Sequence, residues 1–331
     1  MAETQMLNYV SAIGAAINEE MRRDERVAMW GEDLVSMQGA YGENPGMFKE
    51  FGDRIKDTPI VEQAILGTGM GAALAGIRPI VWLMTAGFLT IAFEGLFMEV
   101  GGLRQEYGYA GPMPLVVYCR SGIGGGFGAH HCASTESLFM HSPGLKIVMP
   151  STAYDAKGLM KTAIRDDEPV IYVGYGALYF GAKEPIPTEE YLIPFGKADI
   201  KREGKDITIV CYSGMVRKAL AAAEELNKEG ISVEVVDLRT LVPMDVAAIV
   251  KSVEKTGRLL IAHEAMKRAG AAGEIAFRVT EAAPDLVKSL KTPIKRLAAQ
   301  NLAIPRSISL DAQLLPQVED VIAIVKTMGF D

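Results

Sequence analysis

The sequence predicts an α/β protein built from two doubly wound domains, each with a parallel sheet between helices. Five early runs of residues are apolar rather than alternating, apart from Arg26 and Lys146, which is typical of parallel strands that helices cover on both faces. Between these runs, apolar residues are spaced by three and four, as in amphipathic helices. The predicted strands are Arg26–Trp30, Pro79–Met84, Pro114–Cys119, Leu145–Met149 and Pro169–Val173.

One helix of the first half has both a start signal and an apolar face. Ser151-Thr152 can cap its first turn, and apolar residues follow at positions 156, 159, 160, 163 and 164. Residues 1–185 are therefore predicted as the first domain. Prolines at positions 185, 187 and 194 then interrupt the alternation among charged residues, so residues 186–205 are predicted as a linker.

The alternation of strands and helices restarts in residues 206–331, which are predicted as a smaller second domain. Its first strand is expected at Asp206–Tyr212, followed by a helix that Ser213 caps and Gly230 ends. Further strands are expected at Ser232–Leu238, Arg258–Ala262 and Ile294–Ala298. A chain of 331 residues has the length expected for two such domains.

The composition excludes several classes of function. Lys and Arg number 34 against 41 Asp and Glu, and the net charge of −7 argues against a nucleic-acid binder. No apolar run reaches the roughly 18 residues of a membrane helix, and no basic leader precedes an apolar block. The cysteines Cys119, Cys132 and Cys211 form neither a CxxC motif nor an even set, which favours a reducing cytoplasm.

Two glycine-rich segments need an interpretation. Gly67–Ala72 matches the GxGxxA nucleotide pattern, but no buried strand precedes it and no acidic residue follows about 20 positions later. A helix is therefore predicted, packed closely against a neighbour through its small residues Gly67, Gly71, Ala75 and Gly76. Ser121–Ala129 has five glycines in nine residues and predicts a loop that passes close to a ligand or folds over it. A plain surface loop is the alternative.

Three of the four histidines lie close together in the sequence, at His130, His131 and His141. Because histidine suits proton transfer near neutral pH, one hypothesis gives at least one of them an active-site role. Another hypothesis makes them structural. A third is metal ligation with Cys132 or Glu136, although the spacing matches no known ligand motif.

Glu62 is an isolated acid at the start of a segment rich in Ala, Gly, Leu and Ile. Thr58 can cap a helix with Pro59 in its first position, which makes Glu62 about the fourth helical residue. In that position Glu62 lies one residue past the place where its side chain could complete a capping box. It is then either a solvated first-turn acid that the helix dipole favours, or a buried acid with a chemical task.

Motifs along almost the whole chain carry a resemblance to one family. They include Gly31-Glu32-Asp33, Asp57-Thr58-Pro59-Ile60 with Glu62, Gly76-Ile77-Arg78-Pro79-Ile80, His141-Ser142-Pro143-Gly144-Leu145-Lys146 and Asp237-Leu238-Arg239-Thr240. In this order and spacing, the chain resembles the beta subunit of the thiamine-diphosphate-dependent 2-oxo acid dehydrogenases, the pyruvate, branched-chain and acetoin enzymes. The resemblance implies an N-terminal pyrimidine-binding domain and a C-terminal transketolase-like domain.

The resemblance also implies an active site. Glu62 would be the carboxyl group that faces the aminopyrimidine ring of the cofactor and favours its imino tautomer, which prepares the reactive carbon C2. Ile60, Met84 and Phe88 would line the pyrimidine pocket. His131 would exchange protons with the bound intermediate or orient the incoming lipoyl group.

A potassium site built mostly from carbonyl groups is implied as well, at Leu115, Ala163, Ile164, Asp166 and Glu168. Three positions depart from the family pattern. His130-His131-Cys132-Ala133 replaces Gln-His-Ser-Gln, Glu94-Gly95 replaces Asp-Gln, and Glu168 replaces Asn. These departures lie at or near the implied active site and do not include Glu62.

The 331 residues contain no Gly-Asp-Gly segment, which in the family holds the diphosphate and its magnesium. The resemblance therefore implies an alpha subunit that supplies this half of the site, in a heterotetramer of two alpha and two beta chains. The expected activity is cleavage of a small 2-oxo acid or acetoin-like substrate, with acyl transfer to a lipoyl acyltransferase. The alternatives are a non-oxidative thiamine enzyme, such as a split transketolase or carboligase, and a subunit without catalysis.

Overall fold

The computed structural model describes residues 3–39, 41–43, 45–122 and 126–330. Contacts divide the chain into two compact units, the first comprising residues 1–121 and 130–195 and the second residues 122–129 and 196–331. Of the predicted glycine-rich loop, residues 123–125 lie outside the described residues. Each unit has a sheet and a hydrophobic core, which confirms the predicted pair of α/β domains.

Five of the eight strands of the first unit lie close to their predicted positions, and the first, third and eighth were not predicted. The strands are β1 (Thr4–Leu7), β2 (Val27–Gly31), β3 (Ile55–Asp57), β4 (Arg78–Thr85), β5 (Val116–Ser121), β6 (Lys146–Val148), β7 (Val170–Tyr175) and β8 (Glu184–Pro187). Parallel strands follow the order β6-β7-β5-β4-β2-β3, and β1 pairs antiparallel with β8. β5 and β7 are buried along their whole length, and β5 is apolar up to Cys119, before Arg120 and Ser121.

Helices connect these strands. They are α1 (Tyr9–Arg23), α2 (Met47–Phe51), α3 (Glu62–Leu74), α4 (Gly101–Tyr107), α5 (Gly128–Cys132), α6 (Glu136–Phe139), α7 (Ala153–Arg165) and α8 (Gly176–Tyr179). Two 3₁₀ turns lie at Gly52–Arg54 and Ala86–Thr90, and a π-helical turn at Gly95–Val100 leads into α4. The predicted cap of α7 is confirmed, because the Thr152 hydroxyl accepts a hydrogen bond from the Asp155 N–H at 3.0 Å.

The helix that carries Glu62 begins later than predicted. The Thr58 N–H donates to the Gly31 carbonyl at 2.9 Å and extends the pairing of β2 with β3. The Thr58 hydroxyl caps no helix, because it has no hydrogen-bond partner among the described residues. Val61 is still extended, with φ −144° and ψ 90°, and α3 starts at Glu62. The assignment of Thr58 as the cap and Pro59 as the first helical residue was therefore wrong.

The GxGxxA segment lies inside α3, as predicted for a helix rather than a nucleotide loop. The helix packs closely against β4 at Gly69, where a Cβ atom would lie 2.5 Å from Val81 Cγ1. A Cβ atom on Gly67, Gly71 or Gly76 would meet no described atom within 4 Å. The predicted close packing is therefore not found within the chain at these three glycines.

The second unit repeats the α/β arrangement. Its strands are β9 (Asp199–Arg202), β10 (Ile207–Cys211), β11 (Val233–Asp237), β12 (Thr240–Val242), β13 (Leu259–Met266) and β14 (Lys295–Ala299). They include a sheet of the order β14-β13-β10-β11-β9, in which the edge strand β9 is antiparallel. The segment predicted as a linker, residues 186–205, contains β9 and the end of β8.

The helices of the second unit are α9 (Met215–Lys228), α10 (Val246–Thr256), α11 (Ala271–Ala282), α12 (Pro284–Lys288), α13 (Ile308–Asp311) and α14 (Val318–Lys326). Ser213 does not cap α9 as predicted, since its φ is +55° and Gly214 is the cap residue. Gly230, with φ +86°, follows the helix end as predicted. In the part of the chain that is described, no helix combines the length and apolarity needed to cross a bilayer.

His263 is a fully buried histidine in β13. Its ring stacks on Tyr212 with 6.0 Å between the centroids, and a Cβ atom on Gly270 would lie 2.6 Å from the ring. Burial lowers the pKa of His263 to about 4, although the Ala265 backbone opposes part of this effect. The folded second unit therefore keeps this histidine neutral at mildly acidic pH.

We expect the second unit to lose stability as the pH falls from 6.5, the ordinary histidine pKa, to about 4. The unfolded chain takes up a proton at this position in that range, whereas the folded chain does not, so acid favours unfolding. The stability present above pH 6.5 should fall by about 3 kcal/mol across the window. Denaturant unfolding of the wild type and His263→Leu at both ends of the window measures the effect. An unchanged pH dependence in the variant would exclude His263 as its cause.

Candidate active site

Several predicted site residues follow strands that end at the same edge of the first sheet. β2, β3, β4 and β5 are parallel, so the segments after their carboxyl ends emerge together. Glu32 follows β2, Glu62 follows β3, and Phe88 follows β4. The carboxyl edge of this sheet is therefore the candidate site.

Glu62 is the first residue of α3, and only 6% of it is exposed. It therefore lies in the first helical turn, where the helix dipole favours an anion, and is buried as well. The cap residue Val61 makes no side-chain hydrogen bond, so Glu62 takes no part in a capping box. A buried carboxyl group without a capping duty is available to share a proton with a ligand.

A second buried acid, Glu32, lies close enough to Glu62 for their charges to interact. It is 1% exposed, and its Oε1 atom has no hydrogen-bond partner among the described residues. Burial, followed by the negative charges of Glu62 and Asp33, raises the pKa of Glu32 to about 7. Glu32 belongs to a motif that matched the family, but the sequence alone assigned it no role.

The three residues predicted to line the pyrimidine pocket all leave apolar surface accessible. Met84 and Phe88 are half-buried, and Ile60 is 68% exposed. Met84 has φ +40°, an uncommon conformation for a residue with a side chain, and functional sites often contain such strained positions. Apolar side chains at the sheet edge that also carries two buried acids suit a flat ring with polar nitrogen atoms.

His131 is half-buried in α5 and contacts the predicted pocket wall. Its ring meets Phe88 edge to face, with 5.2 Å between the centroids. Two side chains also hold its backbone, because Thr85 Oγ1 donates to the His130 carbonyl at 3.1 Å and Arg120 Nη2 to the His131 carbonyl at 3.5 Å. The structure thus brings together His131 and Phe88, two residues that the resemblance assigned to one site.

The other two histidines of the cluster are exposed. His130 is adjacent to His131 on α5, so the two side chains point about 100° apart around the helix. His141 stacks on Phe97, with 5.9 Å between the ring centroids. No group of three His, Cys, Asp or Glu residues within the described ranges could hold a metal ion, so the metal hypothesis gains no support.

The carbonyl groups assigned to potassium already accept hydrogen bonds. Arg78 donates from Nε to the Ile164 carbonyl at 2.8 Å and from Nη2 to the Asp166 carbonyl at 2.9 Å. The Leu115 carbonyl accepts from the Val170 N–H at 2.9 Å. Each carbonyl oxygen retains a second lone pair, but the guanidinium already places one positive charge on this cluster.

The acidic side chains of the same cluster are also paired. Lys146 Nζ lies 2.7 Å from the Asp166 carboxylate, and Arg104 donates to both carboxylate oxygens of Glu168, at 2.6 and 3.0 Å. Ala163 is buried in α7. Glu168, which departs from the family pattern, thus has an arginine partner of its own.

Two family models match the chain. One is the transketolase pyrimidine binding domain, over residues 5–174, and the other is the transketolase C-terminal domain, over residues 196–321. Among solved structures, the "Split gene transketolase, inactive beta4 tetramer" matches with a TM-score of 0.78 over 97% of this chain and 98% of that chain. At 23% sequence identity, this likeness shows the fold alone.

Relatives that match over the whole chain identify the branch of this family to which the chain belongs. The 2-oxoisovalerate dehydrogenase subunit beta of Bacillus subtilis is 40% identical over 98% of this chain and 99% of its own length. The pyruvate dehydrogenase E1 component subunit beta of the same organism is 40% identical over 96% of both chains. The acetoin:2,6-dichlorophenolindophenol oxidoreductase subunit beta of Cupriavidus necator is 41% identical over 97% of both chains. The chain therefore belongs to the beta subunits of the thiamine-diphosphate-dependent 2-oxo acid and acetoin dehydrogenases.

Proposed function

We propose that this chain supplies the aminopyrimidine half of a thiamine diphosphate site in a dehydrogenase that cleaves a 2-oxo acid or an acetoin-like substrate. The observation that carries the proposal is the pair of buried acids, Glu62 and Glu32, at the carboxyl edge of the first sheet. Met84 and Phe88 suit the ring as well, because they lie at or just after the carboxyl end of β4, the strand next to β2, and leave apolar surface accessible. The bound cofactor would supply the nucleophilic carbon on which such cleavage depends.

In this proposal Glu62 holds a proton at a ring nitrogen of the cofactor. Its burial in the first turn of α3 keeps water from competing for that proton. Glu32 supports this role, because its pKa of about 7 lets Glu32 itself hold a proton near neutral pH beside Glu62. A protonated Glu32 places no negative charge next to Glu62.

His131 is the second proposed catalytic residue. Phe88 contacts one edge of its ring, and the backbone hydrogen bonds from Thr85 and Arg120 restrict the start and end of its peptide unit. A half-buried imidazole in this setting can donate or accept a proton at the reacting substrate, or orient an incoming lipoyl group.

We propose that an alpha subunit completes the site, as relatives named subunit beta of an E1 component suggest. The alpha chain would hold the diphosphate and magnesium, in an assembly of two alpha and two beta chains. A lipoyl acyltransferase would take the acyl group in the cytoplasm. A potassium ion would bind next to Arg78, at the remaining lone pairs of the Ile164 and Asp166 carbonyl oxygens.

The purified chain without an alpha subunit is expected to bind thiamine diphosphate weakly or not at all, and to be inactive. The reason is that the chain has no Gly-Asp-Gly segment for the diphosphate and its magnesium. Titration calorimetry with cofactor and magnesium, on the chain alone and on the coexpressed alpha–beta complex, measures the difference. Tight binding by the chain alone would contradict the proposal of a shared site.

The assembled complex is then assayed with a panel of 2-oxo acids and acetoin, in the presence of a lipoyl domain. Acyl transfer to the lipoyl group would support the dehydrogenase. Transfer of the cleaved fragment to an added aldehyde, without lipoyl acylation, would instead identify a carboligase or transketolase.

A further inference from the structure

The end of the glycine-rich segment is anchored by a buried carboxylate more than a hundred residues away in the sequence. The Gly126 N–H donates to Asp311 Oδ2 at 2.8 Å, and both residues belong to the second unit. Asp311 is 1% exposed and ends the short helix α13. A buried carboxylate accepts such a bond strongly, because the acceptor is charged and solvent is absent.

The backbone next to this hydrogen bond adopts conformations that favour glycine at two positions. Gly126 and Gly128 have φ +73° and +74°, in the left-handed region that favours glycine. A Cβ atom on Gly126 would lie 2.7 Å from the Arg306 carbonyl oxygen, and one on Gly128 would lie 2.9 Å from Arg306 Cγ. The loop therefore lies directly against the segment that leads into α13.

The anchored loop leads straight into the helix that carries His131. α5 starts at Gly128, two residues after the anchored amide, and has only five residues. A helix of this length does not form by itself, so contacts at its ends determine its position. Cys132, at the far end, is fully buried, and Thr85 holds the His130 carbonyl. At the near end, the anchor is Asp311.

We propose that Asp311 is a positioning residue for His131, acting through Gly126 and the start of α5. The inference rests on the catalytic role proposed above for His131. Asp311 itself touches neither substrate nor cofactor in this proposal. Its carboxylate fixes the backbone of the loop directly before α5, the helix that carries His131.

The first variant is Asp311→Asn in the alpha–beta complex, which keeps the side-chain volume and an acceptor oxygen but removes the charge. We expect the kcat of lipoyl acylation to fall about tenfold, because small displacements of a catalytic group have effects of this size or larger. The KM for the 2-oxo acid should change less than about twofold, as His131 rather than the binding surface is displaced. Gly126→Ala disturbs the same hydrogen bond from the loop side and should also lower the kcat of lipoyl acylation.

Asp320→Asn is the matched control. Asp320 Oδ2 also accepts a backbone N–H, from Gln317 at 2.8 Å, in the second unit and at an exposed position. Loss of this bond should leave kcat and KM within about twofold of wild type, since it lies outside the loop that leads to His131.

Coupling to His131 separates positioning from a general structural effect. In the His131→Ala background, Asp311→Asn and Gly126→Ala should each cost less than about twofold, because the group that they displace is gone. If each still costs about tenfold, Asp311 acts on the fold and the inference is overturned. If His131→Ala alone leaves acylation near wild type, the proposed role of His131 fails instead.

Discussion

Replacing Glu62 by Gln in the alpha–beta complex is expected to lower the rate of proton exchange at C2 of bound thiamine diphosphate by about 10⁴-fold or more. An amide cannot share a proton with the ring nitrogen, and this exchange creates the nucleophile on which every later step depends. The buried position of Glu62, with 6% exposed, leaves no solvent to substitute for its carboxyl group. Hydrogen–deuterium exchange at C2, followed by quenched-flow NMR, measures the rate directly.

The control for this variant is Glu319→Gln. Glu319 is also an acid in the first turn of a helix, α14, but it is exposed. A helix-dipole contribution alone is worth no more than about 1 kcal/mol at an exposed position, and it should leave exchange unchanged. An exchange rate for Glu62→Gln within about tenfold of wild type would contradict the catalytic role. Glu62 would then be a first-turn acid that, like Glu319, interacts only with the helix dipole.

Replacing His131 by Ala is expected to lower lipoyl acylation by about 10²-fold to 10³-fold, whereas His130→Ala should cost less than about threefold. The two histidines are adjacent on α5, which makes them matched in local structure. They differ in that His131 is half-buried against Phe88, while His130 is exposed. A single proton carrier or lipoyl guide on this helix should therefore be His131.

The first half-reaction and lipoyl acylation should be measured separately, because a proton donor or lipoyl guide affects acylation more than cofactor binding. Calorimetry on each variant complex checks that thiamine diphosphate still binds. Equal and mild losses for both substitutions would mean that α5 only covers the site and that the proton carriers lie on the alpha chain.

The sequence by itself determined the fold class and the family. Strands β5 and β7 are buried on both faces, and their apolar runs, up to Cys119 in β5, are visible in the sequence without any knowledge of their neighbours. Helix α7 was predictable for a similar reason, since its cap and its apolar spacing are local features. The motif spacing around Glu62 and His131 carried the family, which the whole-chain relatives confirm.

Tertiary structure alone decided where the helix of Glu62 begins and which groups surround it. The sequence offered Thr58 as a helix cap, but the chain stays extended through Val61, and the Thr58 hydroxyl has no hydrogen-bond partner among the described residues. The closeness of Glu32 to Glu62 depends on β2 lying beside β3, and the pKa of Glu32 depends on burial that no local pattern reports. The bond between Gly126 and Asp311 likewise joins segments that only the folded second unit brings together. Local sequence patterns show which residues of a segment are apolar and become buried. The order of the strands in the sheet decides which polar side chains lie close together.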